Sequence, residues 1–454
     1  MKRALIVAFL LTIFSSVCFA DDFLSVSGRL ELRGVIPLHN NDTETEYPNL
    51  LGRVKVDTTT PTWRCRMWLE GGWDGSVSLP VKDRSVLKVG DKVYQSTTPF
   101  LEFKELYGSY STDFLEIRAG IQRFSWGRLD EYSINDLLNP LDYSQFLGKS
   151  LEDRKIGVPS LSARINKNDW SMEAVWVPIL VPYRLPLLTE RWSVFPEIIS
   201  VAKNYNAEII TQEPDLPSRT FENGSVGLRI QNTGNVDWGV TLFHGYDLRP
   251  VFKATEPVIS LSSGTIVVDP GPEPDFHKMS SIGFDVAFVK GDWSLRAEAA
   301  YAFGRYYNTR YELWGYPSTP TFGTYKLNPN EHKSDTIAYG IGVDYRLFED
   351  CVLTMQSQQI VITDRPDTLY DRQFETILWA NLRNGFMNQK IETNLNFAYN
   401  PEHGDTRAKV SVWYVFTDSW KVGISAVAFD GPLLSLFGRY SQNDQVELDV
   451  IFSW

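Results

Sequence analysis

The chain has 454 residues, a formal net charge of −12 and 43% hydrophobic residues. The acidic balance argues against a nucleic-acid partner, and Cys65 and Cys351, the two cysteines beyond residue 20, are too few for a disulfide framework. Beyond residue 20 no window approaches the ~18–20 consecutive apolar residues of a spanning helix, whereas ordinary hydrophobicity with abundant Trp and Tyr suits a large membrane barrel, in which every second strand residue faces lipid.

The chain opens on Lys2 and Arg3, an apolar stretch from Ala4 to Val17, and Cys18-Phe19-Ala20. This pattern predicts a secretory signal over residues 1–20, cleaved before Asp21. Cys18 also admits a lipoprotein reading, against which Ser16-Val17 makes a poor lipobox. Removing Lys2 and Arg3 takes the net charge from −12 to −14.

From there two-residue periodicity recurs to the end. Leu30 and Leu32 alternate with Arg29, Glu31 and Arg33. Cys65, Met67 and Leu69 alternate with Arg64, Arg66 and Glu70. Ile117, Ala119 and Ile121 alternate with Glu116, Arg118 and Gln122. Val410, Val412, Tyr414 and Phe416 alternate with Lys409 and Ser411. The last ten residues put Val446, Leu448, Val450, Phe452 and Trp454 on one face, and Gln445, Glu447, Asp449 and Ser453 on the other. A strand with one apolar face suits a wall between lipid and water.

The joints are of two kinds. Tight ones place a polar turn before an aromatic residue: Lys167-Asn168-Asp169-Trp170, Val236-Asp237-Trp238, Lys290-Gly291-Asp292-Trp293 and Thr417-Asp418-Ser419-Trp420, with variants at Thr60–Trp63, Ser111–Phe114, Glu349–Cys351 and Asn384–Phe386. Repeated rings of this kind predict half of an aromatic girdle. Nine longer joints, rich in Pro, Gly, Asn and Asp, alternate with these eight. The expectation is an all-β fold: a single transmembrane antiparallel β-barrel over residues 21–454, of about 18 strands (16–18), with short periplasmic turns and long extracellular loops. A two-domain soluble sandwich and a β-helix are the rivals, but no linker and no short repeat supports either.

The third long loop, residues 125–158, carries Trp126, Leu137, Leu138 and Phe146 among charges. It is expected to fold inward as a constriction, with Trp126, Arg128, Asp130, Asp136, Asn139, Asp142 and Arg154 as its candidate residues; a plain surface loop is the alternative. Asn135-Asp136-Leu137-Leu138 is expected to start a short helix, stopped by Asn139-Pro140. A basic pore wall is expected from Arg29, Arg33, Arg53, Lys55, Arg64, Arg66 and Arg118, unless Glu31, Asp57 and Glu70 pair with these cations and cancel them.

Phe103-Lys104-Glu105-Leu106-Tyr107, Gly120-Ile121-Gln122, Trp126-Gly127 with Asp130, Asp136-Leu137-Leu138-Asn139-Pro140-Leu141-Asp142 and Trp170 through Trp176-Val177-Pro178 together resemble the signature of bacterial outer-membrane, porin-like proteins of unknown function. The resemblance covers about residues 100–180. It implies a barrel and an outer-membrane location, but no substrate. It carries over Trp126, Asp130, Asp136, Asn139 and Asp142, either as residues that fold the loop or as residues that touch solute.

Catalytic signatures such as Gly-x-Ser-x-Gly and His-Glu-x-x-His are missing, so the chain is read as not an enzyme. The five histidines, at 39, 244, 277, 332 and 403, show no metal-ligand spacing. Asp269, Glu273 and Asp275 read either as a calcium loop or as a solvated acidic tip. No cofactor and no metal is expected. The expected function is selective diffusion of small, charged solutes through a porin-like channel, with outer-membrane lipid and solutes as partners; a homo-oligomer is compatible with the chain. An outer-membrane enzyme acting on lipid or peptide, and a barrel scaffold holding a partner protein for export, are the alternatives.

Overall fold

In the computed structural model the described residues are 23–39, 47–75, 100–131, 133–146, 148–186, 192–193, 207–209, 216–218, 220–253, 258–262, 265–269, 273–309 and 331–454. The expected signal at 1–20, with Cys18, lies outside them.

Eighteen strands form one sheet: β1 (Leu24–Pro37), β2 (Tyr47–Thr59), β3 (Trp63–Asp74), β4 (Phe100–Ser111), β5 (Leu115–Gln122), β6 (Val158–Lys167), β7 (Trp170–Val177), β8 (Ser225–Asn232), β9 (Asp237–Tyr246), β10 (Lys278–Lys290), β11 (Trp293–Asn308), β12 (Glu331–Phe348), β13 (Cys351–Ile362), β14 (Phe374–Phe386), β15 (Ile391–Asn400), β16 (Asp405–Val415), β17 (Trp420–Asp430) and β18 (Gln445–Ser453). Each pairs antiparallel with the next, and β18 pairs with β1 from Arg29↔Ser453 to Pro37↔Gln445, which closes the barrel. A closed barrel satisfies every strand edge internally, as a hydrocarbon environment demands. Among the described residues, regular helix is limited to Leu151–Arg154 and two short 3₁₀ turns.

The two faces separate as the alternation predicts. On β18, Leu448 and Val450 are exposed, whereas Glu447 and Asp449 are 1% and 2% exposed. Ile282 and Phe284 of β10 point out while Asp285 is fully buried. A core of polar side chains inside an apolar jacket inverts a soluble protein and fits a porin-like outer-membrane barrel.

The short-turn end carries an aromatic ring system. Trp63 lies 4.9 Å from Tyr110, Trp170 5.2 Å from Trp238, Trp293 4.2 Å from Tyr345 and Trp420 4.7 Å from Phe452, by ring centroids. Trp63, Trp170, Trp293 and Trp420 are all exposed, as rings seated at a membrane interface are. One turn differs from expectation. β14 runs through Asn384 and Gly385 to Phe386, and the reversal falls on Met387, Asn388 and Gln389, all at positive φ.

Candidate constriction loop and lumen

The segment between β5 and β6 starts where Gln122 leaves the sheet, and it is held by side chains on the inward faces of the strands. Trp126 is 2% exposed and packs with Phe124, Leu138 and Ile156 against Val175 and Val177 of β7, Phe243 of β9 and Met279 of β10. Its indole N–H donates to Glu173 on β7 at 2.9 Å. Two wall glycines make room. A Cβ at Gly227 would stand 2.6 Å from the Trp126 ring, and one at Gly283 would collide with the Asn135 amide.

The main anchor is Glu298 on β11. Its two carboxylate oxygens accept the main-chain N–H of Leu129 at 2.6 Å, Ile134 at 2.7 Å and Asn135 at 3.1 Å, the Ser133 hydroxyl at 3.2 Å, and the Arg128 N–H. Ionised acceptors make hydrogen bonds of roughly 1.5–3 kcal/mol each. This also explains why no helix starts at Asn135–Leu138. The amides at its start bind Glu298, and the Asn135 side chain donates to Phe284 O at 3.1 Å instead of capping a turn. The short helix forms at Leu151–Arg154, where the Ser150 hydroxyl accepts the Asp153 N–H at 3.2 Å.

The other candidate loop residues are also engaged. Arg128 donates to Asp285 of β10 at 2.6 Å, and Asp285 also binds Arg229 of β8 at 2.8 Å. Asp130 pairs with Arg296 at 2.8 Å, and its N–H donates to Gln356 of β13 at 2.9 Å. Asp136 pairs with Lys155, and Arg154, 1% exposed, pairs with Glu131. Asn139 closes the base of the loop. It accepts from Phe124 N at 2.6 Å and donates to Gln122 O at 3.1 Å and Ile156 O at 2.8 Å. Asp142 accepts from Arg184 at 2.9 Å and Lys149 at 3.2 Å. Burial alone would push the Asp142 carboxyl up, but Lys149, Arg184 and Lys104 hold it well below the ordinary carboxylate range.

Farther along, Phe146 packs against different strands. Its ring lies 4.3 Å from Tyr440 and 6.1 Å from Phe429, in a cluster with Trp379 of β14, Ala398 of β15 and Val427 of β17. Phe146 adopts φ 47°, a left-handed conformation that costs a bulky residue on the order of 1–3 kcal/mol and persists where surrounding packing fixes it. Gln145 donates to Asp74 of β3 at 2.5 Å, and Asp153 pairs with Arg53 of β2 at 2.6 Å. The segment thus touches the wall at β7–β11, at β14–β17 and at β2–β3.

Two cavities border it. One, of about 390 Å³, is polar and lined by Arg29, Arg33, Asn381, Asn394, Lys409 and Asp449 among others. The second, of about 930 Å³, is bounded by Leu137, Leu141 and Tyr143 of the loop and by the inward faces of β12–β14. Glu131 lines both.

The seven candidate wall cations face inward, and six meet carboxylates. Arg29 and Arg33 bind Glu31 at 2.5 and 3.0 Å, and Arg33 binds Asp449 at 2.6 Å. Arg53 binds Glu70 at 2.7 Å. Arg64 and Arg66 share Asp57 at 2.9 and 2.8 Å, and Arg118 binds Glu116 at 2.7 Å. Lys55 stands 3.7 Å from the centre of the Trp68 ring, which Arg123 also approaches at 3.9 Å. The wall is therefore laced with ion pairs rather than uniformly basic.

Glu298, Asp285 and Glu173 were not singled out from the sequence, although Glu298 stands alone in the run Ala297-Glu298-Ala299-Ala300 on a polar face. His277 lies 3.3 Å from Asp275 and 2.6 Å from Glu331, a grouping that sequence spacing hides because Glu331 opens a later strand. The side chains of Asp269 and Glu273 lie outside the described residues. Cys65 and Cys351 are both free thiols.

A family model described as "Protein of unknown function (DUF1302)" matches residues 70–362, more than half of the chain. No curated protein matches. Among solved structures, Acinetobacter baumannii OccAB4 is similar at a TM-score of 0.51 and 10% identity, over 96% of this chain and 99% of that one. A. baumannii OccAB1 is similar at 0.50 and 8% identity, over 95% of each chain. The outer membrane channel DcaP of the same organism aligns at 0.43 and 10% identity, over 95% of this chain and 97% of that one. At these identities the likeness is one of fold.

Proposed function

The chain belongs to the DUF1302 family of proteins of unknown function, and on that premise we propose that it is an outer-membrane, porin-like channel through which small charged solutes diffuse selectively. In this reading residues 1–20 are an export signal and 21–454 one barrel, whose apolar outer face seats it in the membrane. The observation that carries the proposal is the pair of cavities, about 390 and 930 Å³, both bordered by a loop anchored to the inner wall. Solid soluble cores leave no such space, and barrels of 16–18 strands generally enclose water.

The β5–β6 loop is the constriction in this reading, and Trp126, Arg128, Asp130, Asp136, Asn139, Asp142 and Arg154 act by holding it across the lumen. Solute passes the loop where Glu131 borders both cavities. Paired charges along β1–β5 offer opposite signs side by side, which favours charged or zwitterionic solutes over neutral ones. Reconstitution of the purified barrel into planar bilayers tests this. Stepwise conductance with a measurable reversal potential in a salt gradient is expected. A folded barrel that inserts and passes no current would overturn the proposal.

A further inference from the structure

The larger cavity has a lining unlike the smaller one. The inward face of β13 reads Thr354, Gln356, Gln358 and then Ile360, and that of β14 reads Arg383, Asn381, Trp379 and then Ile377. Toward the long loops the wall thus gains an apolar band at Ile360 and Ile377, with Glu375 beyond it on β14. Across the cavity stand Leu137 and Leu141 of the β5–β6 loop and Leu434 and Leu436 of the β17–β18 loop. These apolar groups border about 930 Å³ of space, and that volume falls in the ~300–1,000 Å³ range of ligand pockets. Apolar walls facing each other across a wet cavity leave a favourable surface burial uncollected until an apolar body enters.

The charges of the same cavity are unevenly matched. Its carboxylates Glu131 and Asp136 pair with Arg154 and Lys155, Glu375 lies 3.3 Å from His403, and Asp371 also lines the cavity beside Arg372 in the chain. Arg305 pairs with Asp247 at 2.6 Å. Arg249 instead sits 5.3 Å from the Tyr307 ring centre, and Arg372 donates only to the Glu402 carbonyl at 2.6 Å. Among the described residues neither guanidinium has a carboxylate within ion-pair distance.

We propose that this vestibule binds amphipathic anions, with the apolar body between Leu137 and Leu141 on one side and Ile360 and Ile377 on the other, and the anionic head at Arg249 or Arg372. The inference rests on the channel reading and names its solute class. A guanidinium fork suits a carboxylate or phosphate head, and the apolar arc supplies affinity in proportion to the length of the tail.

Block of the ionic current by octanoate, acetate and octylammonium, added on the long-loop side of the full chain in planar bilayers, tests it. Octanoate should half-block at a concentration at least tenfold below either of the others. Ile360→Asn with Ile377→Asn should bring octanoate close to acetate, and Arg249→Gln with Arg372→Gln should bring it close to octylammonium. Equal block by all three probes, or discrimination that survives both double variants, would overturn the inference while leaving the channel intact. If the folded barrel passes no current, calorimetric titration of octanoate into protein-loaded nanodiscs, against empty discs, decides the binding site separately. Saturable heat beyond that of the empty discs supports it, and partition heat alone refutes it.

Discussion

The carboxylate of Glu298 accepts the Ile134 N–H at 2.7 Å across 164 residues of sequence. One side chain of the β11 wall thereby fixes the middle of the β5–β6 loop, and its neighbours Leu129 and Asn135 converge on the same two oxygens.

Glu298→Ala would strip several buried amides of their acceptor at once, at about 1–3 kcal/mol each. The barrel ladder, which does not depend on this residue, should remain. The expected outcome is trypsin cleavage within the loop at least tenfold faster than in the parent, with an unchanged far-ultraviolet spectrum. Equal cleavage rates would show that the loop is held elsewhere.

Gly227→Val tests the seat of Trp126. The added atoms meet the indole ring, which is 2.6 Å from where a Cβ would stand, and overpacking typically costs about 1–3 kcal/mol. Trp126 emission should shift to the red as the ring leaves its apolar site, once compared with a Trp126→Phe background to isolate its signal. Gly108→Val, where a Cβ meets nothing within 4 Å, serves as the control and should change little.

Selectivity should follow the more exposed pairs. The side chains of Arg64 and Arg66 are 39% and 32% exposed, whereas Arg53 is 8% exposed. Neutralising Arg64 and Arg66 to Gln leaves Asp57 uncompensated beside water, and should shift the reversal potential toward cations by about twofold in permeability ratio. Arg53→Gln should instead lower thermal stability, because it leaves Glu70 buried without its guanidinium. Unchanged selectivity in the Arg64/Arg66 variant would place those charges off the conducting path.

Loop docking should be acid-sensitive in a defined window. Burial raises the Asp142 and Asp153 carboxyls, but Lys149 and Arg184 around Asp142 and Arg53 beside Asp153 outweigh it and leave both below their ordinary values. A lowered folded-state value means the stabilisation is complete above the unfolded carboxylate range of about 4, and fades as pH falls toward the folded value. Protease protection of the loop should therefore be level from pH 8 to about 5 and decline below about 4. Asp142→Asn should weaken protection at neutral pH and flatten that decline. A loss of protection centred near pH 6 would assign the sensitivity to histidine instead.

Much of the barrel was legible in the sequence because its environment is simple. Lipid outside and water inside impose a period of two, and a one-residue slip would expose Glu447 and Asp449 to hydrocarbon. Most of the tight turns announced themselves through Asp, Asn or Gly and a following ring, and the one shifted reversal, at Met387–Gln389, carries no glycine to mark it. The loop was legible only in part. Its Trp, Leu and Asp residues signalled packing, but the partners lie on strands from 47 to 283 residues away, and no local pattern pairs Asn135 with Glu298. The failed helix at Asn135–Leu138 has the same cause, since a distant carboxylate claims the amides that local propensity would assign to a helix start. The wall cations pair with Glu31, Asp57 and Glu70, the carboxylates named in the sequence as their possible partners, and with Glu116 and Asp449 besides.

The proposed channel requires solute to pass the β5–β6 loop beside Glu131, which lines both cavities. Single-channel current through a Glu131→Cys variant, with Cys65 and Cys351 first changed to Ser, tests this by adding a charged thiol reagent from each side of the bilayer in turn. A stepwise change in current is expected after modification from either side. Full modification of residue 131, confirmed by mass, with no change in current would contradict it.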